Sequence, residues 1–420
     1  MRYINQIISE MRQQPLIGLI TLIGTALAIF LIMVVVMMQE VQVASIAPES
    51  NRNRVLHARF IHIKHDKGQS SGVMSYPFAK RLYGNLENAD TTTYYLPQPT
   101  PATVNVHGKP AIKTDLRNVD AAFWHVFNFT FVNGQSFTAE DVESHLPKAV
   151  ISEKLARKLF GTTEAKGLQF QLDYYTTITV CGVVKNVPTI ASLAYSDIWM
   201  PLTEPQMSKD DEYMGYIHAT ILAHNRNDFP KIKNEVNRRL IAINSQLKAE
   251  GREIADHGAP YPQETLSEMH YSNVTPDPET AQHKRWLIYT ILLLIPAINL
   301  SSMTQSRMRR RISEIGVRRA FGCTRFGIMR TLLGENFIIT FVGGMLGLLL
   351  SVAFAWLASN SIFHNYELAA TDTGVTPQML LNSTIFLWAL ALCFVLNLLT
   401  AGIPAWRASR LNPVEAINLN

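Results

Sequence analysis

The chain has 420 residues, of which 47% are hydrophobic and 17% are charged, and its formal net charge is +5. This composition is too apolar for an ordinary soluble protein of two or three domains, and so small a net charge predicts no nucleic-acid partner. The cysteines Cys181, Cys323 and Cys393 fall in three different compartments of the topology predicted below, which excludes a disulfide framework. We therefore expect a membrane protein.

Four uncharged stretches predict four transmembrane helices. The first, Leu16 to Met38, has 23 residues and would measure about 35 Å as a helix, enough to cross a hydrocarbon core of ~30 Å. We interpret it as an uncleaved signal anchor, because its apolar stretch is roughly twice as long as a signal-peptide core. Further uncharged stretches begin at Trp286, Asn336 and Pro377. The predicted spans are residues 15–38, 285–304, 334–359 and 382–405.

The arginines that flank these spans predict their orientation. The loop at residues 305–333 contains eight arginines, whereas the loop at residues 360–381 contains no lysine or arginine. Basic residues are enriched in cytoplasmic loops. We therefore predict a cytoplasmic loop at residues 305–333 and cytoplasmic termini at residues 1–14 and 406–420. Residues 39–284 and 360–381 are then extracytoplasmic.

The third predicted span carries small residues at a strict spacing of four. Gly343, Gly347, Ser351 and Ala355 form one stripe along a helix, and small side chains let another helix backbone approach closely. The pattern predicts helix packing. It leaves open whether the partner is another span of this chain or a second protomer.

The segment at residues 39–284 has a globular composition with mixed helix and strand signals. Ser152 is a predicted helix N-cap with a stop at Gly161, and a longer helix begins near Asp228 and ends at Gly251. The apolar face of that longer helix consists of Ile232, Val236, Leu240, Ile243 and Leu247. Predicted strands lie at residues 55–63, 149–151, 168–172 and 178–183, the last two joined by a turn near Asp173. The predicted fold class is a membrane protein with four transmembrane α-helices and a large α+β extracytoplasmic domain.

Neither catalytic nor metal chemistry is predicted in this domain. His57, His62 and His65 crowd one predicted strand, but alternation places His57 and His65 on one face and His62 on the other, so they do not converge as ligands. Cys181 lies in the middle of a predicted strand, where a small buried side chain is the expected role. We expect a non-catalytic chain with no cofactor and no metal.

The loop at residues 305–333 contains the most informative segment. Ile312, Ile315 and Val317 contribute to an apolar side of a short helix, Gly322 suits a left-handed helix end, and Thr324 suits the N-cap of a helix that runs on into the membrane. Taken alone, this arginine-rich helix is also compatible with binding to anionic lipid.

The amino-acid sequence of this segment resembles the signature of FtsX-like permeases, including their MacB-type subgroup. The resembling residues are Glu314, Ile315, Gly316, Val317, Arg318, Arg319, Ala320, Phe321 and Gly322. The tail from Pro404 to Ile417 resembles the same family. The extracytoplasmic segment is similar to the family's periplasmic core domain at residues 123–127, 133–137, 149–161 and 182–186.

The resemblance implies an ABC permease in the bacterial inner membrane, in which ATP-driven closure of the cytoplasmic side moves the outer domains and exports or extracts a substrate. MacB itself carries a fused ATPase, whereas these residues contain no G-x-x-x-x-G-K-[ST] loop. The expected partners are therefore a separate ABC ATPase that binds the ATP, a second permease (identical or related), membrane lipid, and a possible periplasmic protein. The residues from Glu314 to Gly322, apart from Val317, are the predicted ATPase contact. An FtsX-like regulator of an outside partner such as a cell-wall hydrolase, and a membrane-anchored enzyme or sensor, remain alternatives.

Overall fold

In the computed structural model, the described residues are 15–66, 68–203, 212–255, 257–267, 320–363 and 373–376, with further residues, singly or in runs of two or three, between 269 and 398. The chain divides into two units. The helical unit comprises Met1–Glu40, Glu279–Ser359 and Thr376–Asn420, and the sheet unit comprises Val41–Pro278 and Asn360–Val375.

The described helices, in chain order, are α1 (Pro15–Val43), α2 (Tyr76–Tyr83), α3 (Phe123–Val126), α4 (Ala139–Glu143), α5 (Glu153–Phe160), α6 (Phe229–Leu247), α7 (Gln263–Leu266) and α8 (Arg325–Ile362). Two of them contain stretches that are long and apolar enough to cross a membrane, Leu22–Val43 in α1 and Phe337–Ile362 in α8. The predicted spans at residues 285–304 and 382–405 lie outside the described residues except for single positions. The count of four spans therefore stays a prediction.

The described strands are β1 (Val55–Ala58), β2 (Phe60–His65), β3 (Gly68–Val73), β4 (Ala89–Tyr95), β5 (Thr100–Asn105), β6 (Ile112–Val119), β7 (Phe131–Gly134), β8 (Lys148–Ser152), β9 (Gln169–Leu172), β10 (Thr176–Val184), β11 (Ile198–Pro201), β12 (His218–Ala223), β13 (Arg252–Ala255) and β14 (Tyr261–Pro262). All of them belong to the sheet unit. Helices and strands are interspersed along this unit.

Six of these strands close into a ring. The pairing runs β6, β5, β9, β10, β8, β11 and back to β6, with β10–β8 and β11–β6 parallel and the other pairs antiparallel. An apolar cluster from these strands packs with α5, and it includes Val104, Ile151, Phe170, Ile178 and Leu159. The ring thus forms one hydrophobic core of the sheet unit.

The remaining strands extend the sheet and add a smaller one. From β6 the large sheet continues through β4, β12, β1 and β14, and β7 pairs with β10. A second sheet has the order β13, β2, β3. Helices α2 and α6 pack over a larger core, in which Tyr95, Phe123 and Trp199 are fully buried.

Local sequence signals explain several of these elements. Ser152 caps α5 by accepting a hydrogen bond from the Leu155 amide at 3.2 Å, and Gly161 ends the helix with a left-handed φ of 78°. Both features confirm the prediction for this helix. The predicted hairpin is β9 and β10, and its turn places Asp173 and Tyr174 at φ angles of 49° and 68°. The five predicted apolar positions of α6 are all buried.

The strand predicted at residues 55–63 is wrong in its extent. The chain leaves the extended ladder at Arg59, so β1 joins the large sheet and β2 joins the small one. Burial does not alternate in either half: all four residues of β1 are buried, and so are three consecutive residues of β2. The predicted common face of His57 and His65 therefore does not exist, since the two residues lie in different sheets.

Candidate functional site

A buried ion pair lies directly after α1. The side chains of Glu49 and Arg52 are 1% and 3% exposed, and Arg52 Nε donates to Glu49 Oε2 at 2.7 Å. Arg52 Nη1 also donates to the carbonyl oxygens of Val41 at 2.9 Å and Ala44 at 2.8 Å. Arg52 thereby caps the carbonyl end of α1, where a cation is favoured by the helix dipole.

The same pair holds the segment at residues 187–195, which we call the connector segment. It joins β10 to β11. Arg52 Nη2 donates to the Ile190 carbonyl at 2.8 Å, and Glu49 Oε1 accepts from the amides of Leu193 at 2.7 Å and Ala194 at 2.9 Å. Hydrogen bonds from Arg52 and to Glu49 therefore connect the end of α1 to the connector segment.

The connector segment also holds the chain that follows α8. The Thr189 amide donates to the Thr373 carbonyl at 2.9 Å, and Thr189 Oγ1 lies 3.3 Å from the carbonyl of Phe363, the residue after the last residue of α8. All of these residues belong to the sheet unit. One segment of nine residues thus binds the chain at the ends of both long described helices.

The small-residue stripe of α8 packs against α1 within the helical unit. A Cβ atom at Gly347 would lie 2.7 Å from the Ala26 carbonyl oxygen, and one at Gly343 would lie 2.8 Å from Thr25 Cβ. Ser351 and Ala355 are buried, and Ser351 Oγ donates to the Gly347 carbonyl at 2.8 Å. The structure therefore places a helix of the same chain at the stripe.

The predicted ATPase contact is described only at its carboxyl end. Glu314, Ile315, Gly316, Arg318 and Arg319 lie outside the described residues. Ala320 and Phe321 are exposed, the latter by 88%, and Gly322 has a left-handed φ of 87°. Thr324 Oγ1 accepts from the Gly327 amide at 3.1 Å as α8 begins. The predicted turn and cap are confirmed, and the contact itself stays a prediction.

The three histidines of β1 and β2 each have a separate local partner. His57 Nδ1 lies 3.0 Å from Thr220 Oγ1, His62 Nδ1 lies 2.7 Å from Ser71 Oγ, and His65 contacts Ser70. Burial, together with the charges of Arg59 and Arg52, lowers the pKa of His57 to about 3, so its ring is neutral.

Cys181 is a partly buried thiol within β10. Its Sγ lies 3.3 Å from the Ala149 carbonyl oxygen, and burial raises the pKa of the thiol to about 11. Among the residues that the structure describes, no group of three metal-binding side chains comes together.

The sequence analysis did not identify the ion pair or the connector segment. Glu49 and Arg52 do stand three residues apart just after a predicted span, and acid–base pairs at such spacing are common on exposed turns. Nothing local signals that the pair is buried, because its burial depends on residues about 140 positions away.

Two apolar helices are long enough to cross a membrane, and the chain also contains a large mixed helix and strand unit. This combination is typical of a membrane protein with a large domain outside the bilayer. Family models agree with this class. The MacB-like periplasmic core domain matches residues 19–239, and the FtsX-like permease C-terminal domain matches residues 286–413. The chain belongs to the MacB and FtsX type of ABC transporter permeases, a family of the bacterial inner membrane.

Curated relatives carry names of the same type. The macrolide export ATP-binding/permease protein MacB of Pasteurella multocida is 24% identical over 307 residues, which is 73% of this chain and 43% of that protein. The ABC transporter permease YknZ of Bacillus subtilis is 22% identical over 336 residues, which is 77% of this chain and 71% of that protein. The pyoverdine export protein PvdT of Pseudomonas savastanoi is 24% identical over 71% of this chain and 42% of that protein. The chain thus spans less than half the length of MacB and PvdT.

Solved structures similar to this chain include two extracytoplasmic regions. The periplasmic region of MacB from Actinobacillus actinomycetemcomitans is 12% identical and covers 50% of this chain and 91% of that one, with a TM-score of 0.34. The extracellular domain of YknZ is 16% identical and covers 47% of this chain and 99% of that one, with a TM-score of 0.32.

Proposed function

We propose that this permease converts ATP hydrolysis by a separate ABC ATPase into movement of its extracytoplasmic domain, and that this movement exports or extracts a substrate. The observation that supports the proposal is the set of hydrogen bonds by which Glu49, Arg52 and Thr189 hold the connector segment, which we call the clamp. Arg52 and Thr189 bind the chain at the ends of α1 and α8. A displacement of either helix end would therefore be passed on to β10 and β11 of the ring.

The strength of the clamp suits this purpose. An ion pair that is nearly fully buried and uses both carboxylate oxygens resists separation, because pulling the partners apart leaves a buried charge without compensation. Surface pairs, in contrast, are weak and exchange with water. A clamp built on a buried ion pair can therefore transmit force before its hydrogen bonds break.

We propose that the ATPase is a separate polypeptide. The relative YknZ, 71% of which this chain spans, is named an ABC transporter permease. In this proposal ATP binds to the partner, and two permease subunits, identical or related, assemble with two ATPases.

The proposed ATPase contact is the cytoplasmic segment from Glu314 to Gly322. Gly316 lies inside its predicted first helix, where glycine costs roughly 1 kcal/mol relative to alanine, so close approach of a partner backbone would explain it. Glu314 is an acid among many arginines and can orient Arg318, four residues on, or pair with a basic group of the ATPase. The proposed topology places this segment and both termini in the cytoplasm.

Two substitutions test this contact. Gly316→Trp and Glu314→Lys should leave membrane insertion and the outer domain intact while abolishing association with the ATPase. The measurement is affinity purification from native membranes, with mass spectrometry of co-purifying ATPases and their hydrolysis rate. Glu253→Lys, a charge reversal on the exposed side of β13, is the matched control and should change neither quantity. Wild-type ATPase recovery and hydrolysis in both test variants would show that the arginines of this loop are lipid anchors instead.

A further inference from the structure

A cavity of about 690 Å³ lies within the sheet unit and is lined in part by the connector segment. Its lining residues include Arg59, Arg117 and His218, and none of the described residues that line it is acidic. Gln98 and Thr100 add polar side chains to the same wall. A cavity lined by cations and hydrogen-bonding groups, without a carboxylate, favours an anionic occupant.

Arg117 is a fixed cation in this wall. The side chain is fully buried, and all of its hydrogen bonds end on main-chain carbonyl oxygens, those of Tyr195, Leu96, Pro97 and Ser192, at 3.0–3.1 Å. Burial lowers the pKa of Arg117 to about 10, which still leaves it charged at neutral pH. Carbonyl oxygens orient a guanidinium but do not neutralise its charge.

Within the described part of the chain, Nε of Arg59 and both ring nitrogens of His218 are buried without a hydrogen-bond partner. Arg59 donates no hydrogen bond to a residue that the structure describes, although its Nε is buried. His218 is 5% exposed, and neither of its ring nitrogens has a partner in the described part of the chain. Burial, with the charges of Arg59 and Arg117, lowers the pKa of His218 well below its usual value, so the ring offers one N–H donor. Buried polar groups without partners are costly, and a bound ligand with acceptor atoms would satisfy them.

The nearby carboxylate is already engaged elsewhere. Both oxygens of Glu49 are occupied, one by Arg52 and the other by the amides of Leu193 and Ala194. Glu49 therefore supplies no hydrogen bond to Arg59 or Arg117. It acts on both of them only through space, as Asp115 does on Arg117.

We propose that this cavity binds a phosphate-bearing anion through Arg59, Arg117 and His218. The two guanidinium groups match the charge of up to −2 on a phosphate group. Arg117 contributes mainly its charge, because its N–H groups are largely taken by carbonyl oxygens, whereas Arg59 and His218 contribute N–H donors. The same chemistry is offered by a free phosphate and by an anionic lipid headgroup. The proposal is independent of ATPase coupling, because every residue that carries it belongs to the sheet unit.

Thermal unfolding of the purified full-length chain in detergent tests the proposal. A ligand that binds only the folded state raises the unfolding temperature in a saturable way. Inorganic phosphate is compared with chloride at equal ionic strength, and short-chain phosphatidylglycerol is compared with short-chain phosphatidylcholine. We call the anion that raises the unfolding temperature the effective anion. Arg59→Gln should weaken the binding of this anion by at least about tenfold, the usual scale for removing one partner of a buried charged contact. The matched control is Arg226→Gln, which removes an exposed arginine paired with Glu264.

The outcomes separate the two sources. An Arg59-dependent response to phosphate indicates a soluble anion, and an Arg59-dependent response to phosphatidylglycerol alone indicates a headgroup. Hydrogen exchange on the wild-type chain needs no variant, and the effective anion should protect residues 96–101 and 189–195. The proposal is overturned if neither anion stabilises the chain, if Arg59→Gln responds as the wild type does, or if those segments gain no protection.

Discussion

Glu49 and Arg52 show how much a single buried charge can depend on one partner. Arg52 has four hydrogen bonds, of which three go to main-chain carbonyls and one to Glu49. Only the last of these supplies a compensating charge. Loss of the carboxylate charge would therefore leave a guanidinium buried among neutral acceptors, a situation that usually costs several kcal/mol.

Glu49→Gln is therefore expected to destabilise the sheet unit by about 3 kcal/mol, because the amide keeps the shape of the carboxylate but not its charge. Thermal unfolding followed by tryptophan fluorescence measures this, with buried Trp199 as a reporter close to the connector segment. Glu264→Gln, which breaks a largely exposed pair with Arg226, should cost less than about 1 kcal/mol. Equal effects of the two substitutions would contradict a clamp role for Glu49.

At the scale of residues, the sequence predicts caps and turns because these depend on near neighbours. Ser152, Gly161 and Gly322 have the roles that their local patterns indicate. Arg59 shows the limit of this reasoning. The alternation of residues 55–63 indicates one strand, yet the chain changes sheets at Arg59, and only long-range pairing decides where each half belongs.

Helix α8 shows at the scale of elements what glycine contributes to packing. A side chain at Gly347 would collide with main-chain atoms of α1, whereas a Cβ at Gly334 would meet no atom within 4 Å in the described residues. The two glycines thus lie in one helix, and one has a close neighbour in α1 while the other has open space.

Gly347→Leu should destabilise the helical unit by about 1–3 kcal/mol, because the leucine forces two helix backbones apart. Gly334→Leu is the matched control and should be neutral or stabilising, since leucine is the better helix former. The measurement is the temperature at which each variant and the wild-type chain aggregate in detergent. Unchanged stability of the Gly347 variant would mean that the stripe faces lipid.

Whole-molecule topology stays a prediction from the arginine distribution. Cysteine labelling in intact cells can test it, and the structure guides the choice of positions. Gly134 is unsuitable for the outside probe, because a Cβ there would lie 2.3 Å from the Cys181 carbonyl oxygen. Tyr175, 93% exposed at the tip of the β9–β10 hairpin, is suitable. Cys323 is exposed and already provides the inside probe.

An impermeant maleimide should label a Tyr175→Cys chain from which the three native cysteines have been removed. It should not label a chain in which only Cys323 remains, until the cells are permeabilised. Labelling of Cys323 in intact cells, with protection of the Tyr175→Cys chain, would reverse the predicted orientation.

The family, and the combination of apolar helices with a large mixed domain, were predictable because their signals are long. Uncharged stretches of more than 20 residues and an extended motif such as Glu314–Gly322 survive substitution at single positions. The closed ring was not predictable from such signals. Its closing contact pairs Ile198 with Leu116, 82 positions apart in the chain, and no local sequence pattern indicates a partner at that distance.

Closure of the ring also changes how the sheet unit should come apart. A strand in an open sheet can fray from its edge, but each of these six strands is paired on both sides for part of its length, so releasing one strand breaks two ladders. The small sheet of β13, β2 and β3 has two edges open to fraying in the described residues. The amide protons of Ile178 to Val183 should therefore exchange with deuterated water more slowly than those of Gln69 to Gly72. The permease would then carry a rigid, slowly exchanging ring next to a sheet that opens readily.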